Sequence, residues 1–106
     1  MANNAFRGFQ EGANRFTAKE RSEISKSFRK DLQDYKIGGA IMKVVTTSSE
    51  KVPVYVNVLC QQCRKKSFAA EFEAECSKLR KLYIRDHMAV AEIIRQLHEA
   101  VMEALP

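Results

Sequence analysis

The chain of 106 residues contains no tryptophan and has only two prolines, four glycines and three cysteines. An odd number of cysteines does not complete a disulfide framework, so the sequence predicts a reducing, intracellular location, cytoplasmic or nuclear. The glycines match neither a phosphate-binding loop nor a dinucleotide-binding fingerprint. No apolar run approaches the roughly 20 residues of a membrane span, and no signal-peptide pattern is visible. We therefore expect a protein without a membrane partner.

A catalytic constellation is also missing from the sequence. Nucleophilic catalysis needs a cysteine or serine with a histidine and an orienting carboxylate in one pocket. The two histidines, His87 and His98, both fall in the C-terminal segment. The sequence therefore predicts a protein that is not an enzyme and has no cofactor.

The composition that is present is that of a folded, basic domain. Hydrophobic residues make up 45% and charged residues 29%, and 18 basic against 13 acidic residues give a net charge of +5. Residues 86–106 hold one basic and four acidic side chains, so the positive excess lies in the first 85 residues. Such a distribution suits a protein whose basic part attracts polyanions, although +5 is also ordinary for a soluble domain.

The N-terminal third predicts an arm followed by a helix. Residues 1–16 show little sustained periodicity, and we interpret them as an arm that precedes a single domain at residues 17–106. Thr17 and Glu20 form a capping-box pattern that marks a helix start. A stripe of apolar residues follows at helical spacing, and Gly38 and Gly39 supply a stop, which predicts a helix over residues 18–36.

The middle of the chain favours a β-hairpin. Residues 40–47 and 52–59 are rich in β-branched side chains and flank the sequence SSEK, and the valines from Val52 to Val58 alternate with period two. Pro53 lacks a donor for a ladder, which would place it at the start or edge of a strand. The alternative is an all-α protein in which Pro53 begins a helix that runs through Cys63.

The C-terminal third predicts one long helix or two. Ser67 is a candidate N-cap for an apolar stripe that runs to Tyr83, and Asp86 is a candidate cap for a second stripe that starts at Val90. The predicted fold class is therefore α+β, with an N-terminal helix, a central hairpin and one or two C-terminal helices.

Cys60 and Cys63 form a C-x-x-C pattern of the kind found in zinc knuckles. A tetrahedral site needs two more ligands, and Cys76 and His87 lie about 16 Å apart on a straight helix, at ~1.5 Å per residue. Structural zinc therefore remains a minor alternative, and no βαβ pattern supports a redox motif. We interpret the cysteines mainly as structural thiols.

Basic side chains form the best-supported candidate site. A row on the first helix, three consecutive cations after the hairpin and a continuation on the next helix would together meet phosphate oxygens without reading sequence. The alternative is a solvated face in which interleaved carboxylates only support the helix. The candidate residues are Lys19, Lys26, Arg29, Lys30, Arg64, Lys65, Lys66, Lys78, Arg80 and Lys81.

The C-terminal helix is a candidate partner interface, because a chain this small has little internal surface to cover its apolar positions. Packing within the chain is the alternative. The interface candidates are Val90, Ile94, Leu97, Val101 and Leu105.

These observations predict a small, non-catalytic homodimer that binds nucleic acid, RNA more readily than DNA. Coating or sequestering RNA in a virus or phage would suit such a protein. The alternatives are an assembly protein that uses the apolar C-terminal helix, and a zinc-stabilised binding module.

Overall fold

The structure, a computed structural model, describes residues 5–47, 49–85 and 88–106. Within these ranges, α-helices carry nearly all of the regular structure. They are α1 (Ala5–Ala13), α2 (Ala18–Thr47), α3 (Val52–Cys63), α4 (Lys66–Tyr83) and α5 (Met88–Ala104), and a 3₁₀ turn at Ser49–Lys51 leads into α3. No helix of the described ranges is long and apolar enough to cross a membrane.

Helix α3 lies at the centre of the protein and packs against each of the other four helices. Its apolar side chains are not confined to one face, as expected for a helix that is covered all round. Tyr55 stacks on Phe28 of α2 with ring centroids 4.3 Å apart, which ties α3 to the N-terminal half of α2. The buried residues of α3 are Val52, Val54, Tyr55, Val56, Val58, Leu59 and Cys63.

The predicted α+β class and its β-hairpin are wrong. Residues 40–47 belong to α2, and residues 52–59 belong to α3. A period of two among valines indicates a strand only if one face is exposed, and here both sets of alternating positions are largely buried. Pro53 sits in the first turn of α3, where its missing N–H removes no helical hydrogen bond. The all-α alternative, with a helix from Pro53 through Cys63, is confirmed.

The segment interpreted as an N-terminal arm contains α1, which packs against α3 and α5. Phe6 and Phe9 are partly buried against the core, and Ala13 is fully buried. Gly12 allows the close approach of α1 to α3, because a Cβ there would lie 2.8 Å from Cγ of Pro53. The first residues of the described chain therefore help to cover the central helix.

The predicted start of the second helix is confirmed. The backbone N–H of Thr17 donates to Oε1 of Glu20 at 2.9 Å, and the N–H of Glu20 donates to Oγ1 of Thr17 at 3.2 Å. These hydrogen bonds lower the pKa of Glu20. The reciprocal pair satisfies two backbone donors that would otherwise lack a helical partner.

Helix α2 bends sharply at Lys36, which has φ 58° and ψ −179°. Nζ of Lys43 lies 3.0 Å from Oδ1 of Asp31 and 5.0 Å from the ring centroid of Tyr35. Twelve residues of straight helix would separate Asp31 from Lys43 by about 18 Å, so the two halves of α2 must fold towards each other. The helix stop that was predicted at Gly38 and Gly39 is thus close to the bend, but the residue is wrong. The positive φ falls on Lys36 instead of a glycine.

The two-helix alternative for the C-terminal third is confirmed, because α4 ends at Tyr83 and α5 begins at Met88. The predicted N-cap of α4 is wrong: Lys65 holds that position, and Ser67 lies inside the first turn. The predicted cap at Asp86 lies outside the described residues. Helices α4 and α5 pack side by side and complete the cover of α3.

The backbone at Lys36 provides a stability prediction. Its φ and ψ lie in a region that is essentially restricted to glycine and costs other residues about 1–3 kcal/mol. Glycine loses about 0.5–1 kcal/mol more backbone entropy on folding, so Lys36→Gly should raise the free energy of unfolding by about 1 kcal/mol. Urea denaturation followed by circular dichroism measures this change. Lys36→Ala removes the same charge but keeps the strain, and equal stabilities of the two variants would contradict the prediction.

Candidate nucleic-acid interface

A shallow groove of about 330 Å³ brings together cations from two separate parts of the chain. Arg29 comes from α2, and Lys65 comes from the junction of α3 and α4. Between them the groove is lined by Leu32, Gln33, Gln62 and Phe68. Two of the sequence-predicted basic clusters therefore share one site, which we call the basic groove.

The side chain of Arg29 is held at the edge of the basic groove by a contact to α3. Its Nη2 donates to Oε1 of Gln61 at 2.6 Å. This bond restrains the guanidinium, which has five N–H donors and therefore keeps others for a ligand. Sequence reasoning selected Arg29 by its charge but missed Gln61, since nothing in a single sequence pairs residues 32 positions apart.

The N-terminus of α4 adds partial positive charge beside Lys65, which favours an anion there. Its N-cap, Lys65, makes no side-chain capping hydrogen bond, and the first turn contains no acidic residue. The first backbone N–H groups of a helix lack helical acceptors and carry partial positive charge. An anion in the basic groove would therefore meet a helix terminus as well as side-chain cations.

The predicted cations are largely free of internal ion pairs. The salt bridges of the described residues join Arg7 to Glu11, Lys43 to Asp31, and Arg95 to Glu92 and Glu99. None of the ten cations proposed from sequence forms a salt bridge with another described residue. Interleaved carboxylates on α2 therefore do not neutralise its basic row through direct pairing.

The structure does not gather all ten cations at one place. Lys19, Lys26, Lys30, Arg64 and Lys66 are exposed, whereas Arg80 is partly buried. Arg80 lines a different groove beside α5, together with His98 and Glu103. Lys78 and Lys81 are exposed farther along α4. The basic groove therefore includes Arg29 and Lys65 at its walls, with the other cations of α2 and the α3–α4 junction nearby in sequence.

A second, larger groove of about 740 Å³ lies beside the bend of α2. Tyr35 is 54% exposed at its edge, although Tyr35 belongs to the apolar stripe of α2. Glu71 and Glu75 line it from α4. The Glu75 carboxylate lies against Gly38, in the space that a side-chain carbon at this position would fill. We call this the acidic groove; its only sequence signal was the Gly38-Gly39 pair, which was interpreted as a helix stop.

The candidate interface residues of the C-terminal helix are covered by the chain's own helices. Ile94, Leu97 and Val101 are fully buried in the core. Val90 and Leu105 are partly buried and pack against it. Apart from Tyr35, the large apolar side chains of the described residues that remain exposed lie at the end of α4 and the start of α5: Leu82 is 63%, Ile84 56% and Met88 67% exposed.

The cysteines lie in apolar surroundings between α3 and α4. Burial raises the pKa of Cys60 to about 11, although Arg64 partly opposes this shift. Burial also raises the pKa of Cys63 to about 12 and that of Cys76 to about 12. At neutral pH the three side chains are therefore neutral thiols, whereas metal binding and nucleophilic attack use thiolates. No cluster of three or more metal-binding side chains occurs among the described residues.

The structure describes only one of the two histidines. His87 lies outside the described residues. His98 is partly buried, and its ring lies 5.8 Å from that of Phe72. Burial is the main cause that lowers its pKa, Arg80 lowers it further, and Glu73 acts in the opposite direction. His98 thus lies at the edge of the core, where its surroundings disfavour the charged form.

No protein-family model, characterised protein or solved structure matches the chain.

The thiol environments predict slow alkylation of the folded protein. At pH 8 the thiolate fraction of Cys60 should be about 100-fold lower than that of a free cysteine with a pKa near 9, and its labelling should slow in proportion. Cys63 and Cys76 should label only after unfolding. Mass spectrometry after a timed iodoacetamide reaction measures each site, and Cys60→Ser identifies its share. Rapid labelling of Cys63 in the folded protein would contradict these environments.

The same shifts predict that stability falls with rising alkaline pH. Unfolded thiols ionise near pH 9, whereas the folded thiols keep their protons until about pH 11 or above. The unfolded state therefore binds fewer protons in this window, so the free energy of unfolding decreases as pH rises. Denaturation at pH 8 and pH 10 measures the change. Cys63→Ala, compared at the same two pH values, should lose less stability.

Proposed function

We propose that this chain is a small, non-catalytic nucleic-acid-binding protein that holds phosphates in the basic groove. The observation that carries the proposal is the convergence of Arg29 and Lys65 from distant parts of the sequence on one groove, with neither cation in an internal salt bridge. Arginine offers a fork of donors to phosphate oxygens, and lysine a mobile point charge. Reduced thiols fit an intracellular protein, cytoplasmic or nuclear.

The binding mechanism is electrostatic. Each phosphate neutralised by a lysine or arginine releases condensed counterions, so affinity falls steeply with salt. Neighbouring exposed cations on α2 and at the α3–α4 junction would follow the backbone on either side of the basic groove. RNA is preferred to DNA, because RNA more often presents unpaired segments whose bases can reach a groove of this width.

The proposal predicts that the affinity for nucleic acid depends on the salt concentration. RNA and DNA, single- and double-stranded, should bind at 50 mM salt, and affinity should fall at least tenfold at 200 mM. Arg29→Glu with Lys65→Glu should weaken binding by about tenfold or more at 50 mM, since two attractions become repulsions. Fluorescence anisotropy measures both effects. No binding to any nucleic acid at 50 mM would overturn the proposal.

A matched control separates the basic groove from net charge. Arg7→Glu with Lys51→Glu changes the charge by the same amount at two exposed positions. Arg7 lies on α1. Lys51 directly precedes the start of α3, whereas Lys65 follows its end, and the length of α3 separates them by about 18 Å. We expect only a small loss of affinity in this control. Equal losses in the two double variants would remove the assignment of the groove while leaving nonspecific binding intact.

A second candidate function, assembly with a second copy, is favoured by the corner between α4 and α5. Leu82, Ile84 and Met88 are exposed within seven residues of sequence, and grouped exposed apolar side chains are typical of protein–protein contact sites. A homodimer would bury them and would double the basic surface available to a polyanion. The described chain itself offers no other set of large exposed aliphatic side chains.

Dimerisation through this corner has a direct test. Native mass spectrometry and sedimentation should show a dimer at micromolar concentration, and Leu82→Glu with Met88→Glu should convert it to a monomer with unchanged circular dichroism. Burying two like charges in an interface is costly because each loses water without gaining a partner. A wild-type protein that is monomeric at 100 µM would exclude this candidate.

A further inference from the structure

The basic groove and the acidic groove lie next to each other between α2 and α4 and share the lining residues Leu32 and Phe68. We call the two grooves together the trough. Lys65 stands at one end and Glu75 at the other. The ten residues between these positions correspond to about 15 Å of helix, at ~1.5 Å per residue. A trough of this length suits about two nucleotides of an extended strand, and each groove has a volume within the ordinary range of ligand sites.

The floor of the trough is apolar and partly aromatic. Phe68 and Leu32 are partly buried against the core, so their outer surfaces face the groove while their positions are held from below. Tyr35 is 54% exposed at the edge. Aromatic faces bind unpaired bases by stacking, and this binding tolerates any base because every base has a π-face.

The two ends of the trough have opposite charge. Arg29 and Lys65 line the first end, and Glu71 and Glu75 outnumber Lys36 among the charged residues that line the second. Neither glutamate forms a salt bridge or a side-chain hydrogen bond with another described residue. Both carboxylates therefore retain acceptor oxygens for a ligand that donates hydrogen bonds.

We propose that the trough binds single-stranded nucleic acid with a guanine at its acidic end. The phosphate lies against Arg29 and Lys65, the base lies on Phe68 beside Tyr35, and the guanine N1–H and N2–H groups donate to the carboxylates of Glu71 and Glu75. This proposal rests on the proposed function and names the ligand of that same site.

Guanine is selected by its hydrogen-bond pattern. Its Watson–Crick edge presents two adjacent donors, which match the two acceptor oxygens of a carboxylate. Adenine and cytosine each place an acceptor beside their amino group, and uracil places acceptors on both sides of its N3–H. A carboxylate would face at least one lone pair from each of these bases.

A duplex does not fit the same site. Its bases are paired and their Watson–Crick edges are unavailable, so only phosphates could approach the trough. A second phosphate backbone would also pass near Glu71 and Glu75, where like charges repel. The cations outside the trough remain available to a duplex, which explains how weaker, nonspecific binding coexists with the preferred ligand.

Anisotropy titrations with labelled 12-nucleotide RNAs test the proposal. The strands (UUG)₄, (UUA)₄ and (UUI)₄ differ in one base, and inosine lacks only the 2-amino group of guanine. We expect (UUG)₄ to bind about tenfold tighter than (UUA)₄, with (UUI)₄ between them and a 12-base-pair RNA duplex weaker than (UUG)₄. Glu71→Gln with Glu75→Gln should remove the preference for guanine while binding to (UUA)₄ stays the same or becomes tighter.

The control is Glu50→Gln with Glu103→Gln, which changes the net charge equally at two exposed positions away from the trough. It should keep the preference for (UUG)₄, and circular dichroism should show that all variants remain folded. Equal affinity for the three strands, or tighter binding of the duplex, would overturn the guanine site and leave the proposed function standing. No binding to any strand at 50 mM salt would overturn both. Loss of a dimer in the Glu71→Gln, Glu75→Gln variant, seen by native mass spectrometry, would assign the trough to contact with a second copy and would overturn the guanine site.

Discussion

The requirement to bury α3 on all sides determines the arrangement of the rest of the protein. Val52–Cys63 carries apolar side chains around most of its circumference, and burial of each large aliphatic side chain contributes roughly 1.5–3 kcal/mol. One neighbouring helix covers only one face. Helices α1, α2, α4 and α5 are therefore all needed around it, and the chain must bring them there in little more than a hundred residues.

The bend of α2 follows from that requirement. A straight helix of 30 residues would be about 45 Å long, whereas the greatest extent of the described protein is 38 Å. Its second half must therefore turn back onto the core, where Ile37, Ile41 and Val44 are buried. The strained backbone at Lys36 is the local cost of this turn, and the contacts of Lys43 with Asp31 and Tyr35 span the bend.

The candidate site lies between two helices that these constraints bring together. Helices α2 and α4 pack on α3 and on each other, and the trough lies along their contact beside the bend of α2. The floor of the trough belongs to the outer edge of the core, and its charged ends belong to the surface. The proposed ligand therefore contacts both the residues that stabilise the fold and those that carry its charge.

The sequence by itself determined the helix start at Thr17, the helical structure of the C-terminal third and the charge of the candidate residues, while it left open whether that third forms one helix or two. Each of these depends on neighbours within a few residues: a reciprocal hydrogen bond between positions 17 and 20, an apolar stripe at helical spacing, a run of lysine and arginine. The same reasoning gave the wrong structure for the valine-rich segment, because alternating valines are compatible with a half-buried strand and with a fully buried helix. Only the four helices around α3 decide between these two structures, since their apolar faces cover every side of it. The convergence of Arg29 and Lys65 on one groove and the raised pKa values of the thiols were likewise decided by tertiary structure, because local spacing in the sequence does not determine proximity across the fold or removal from water.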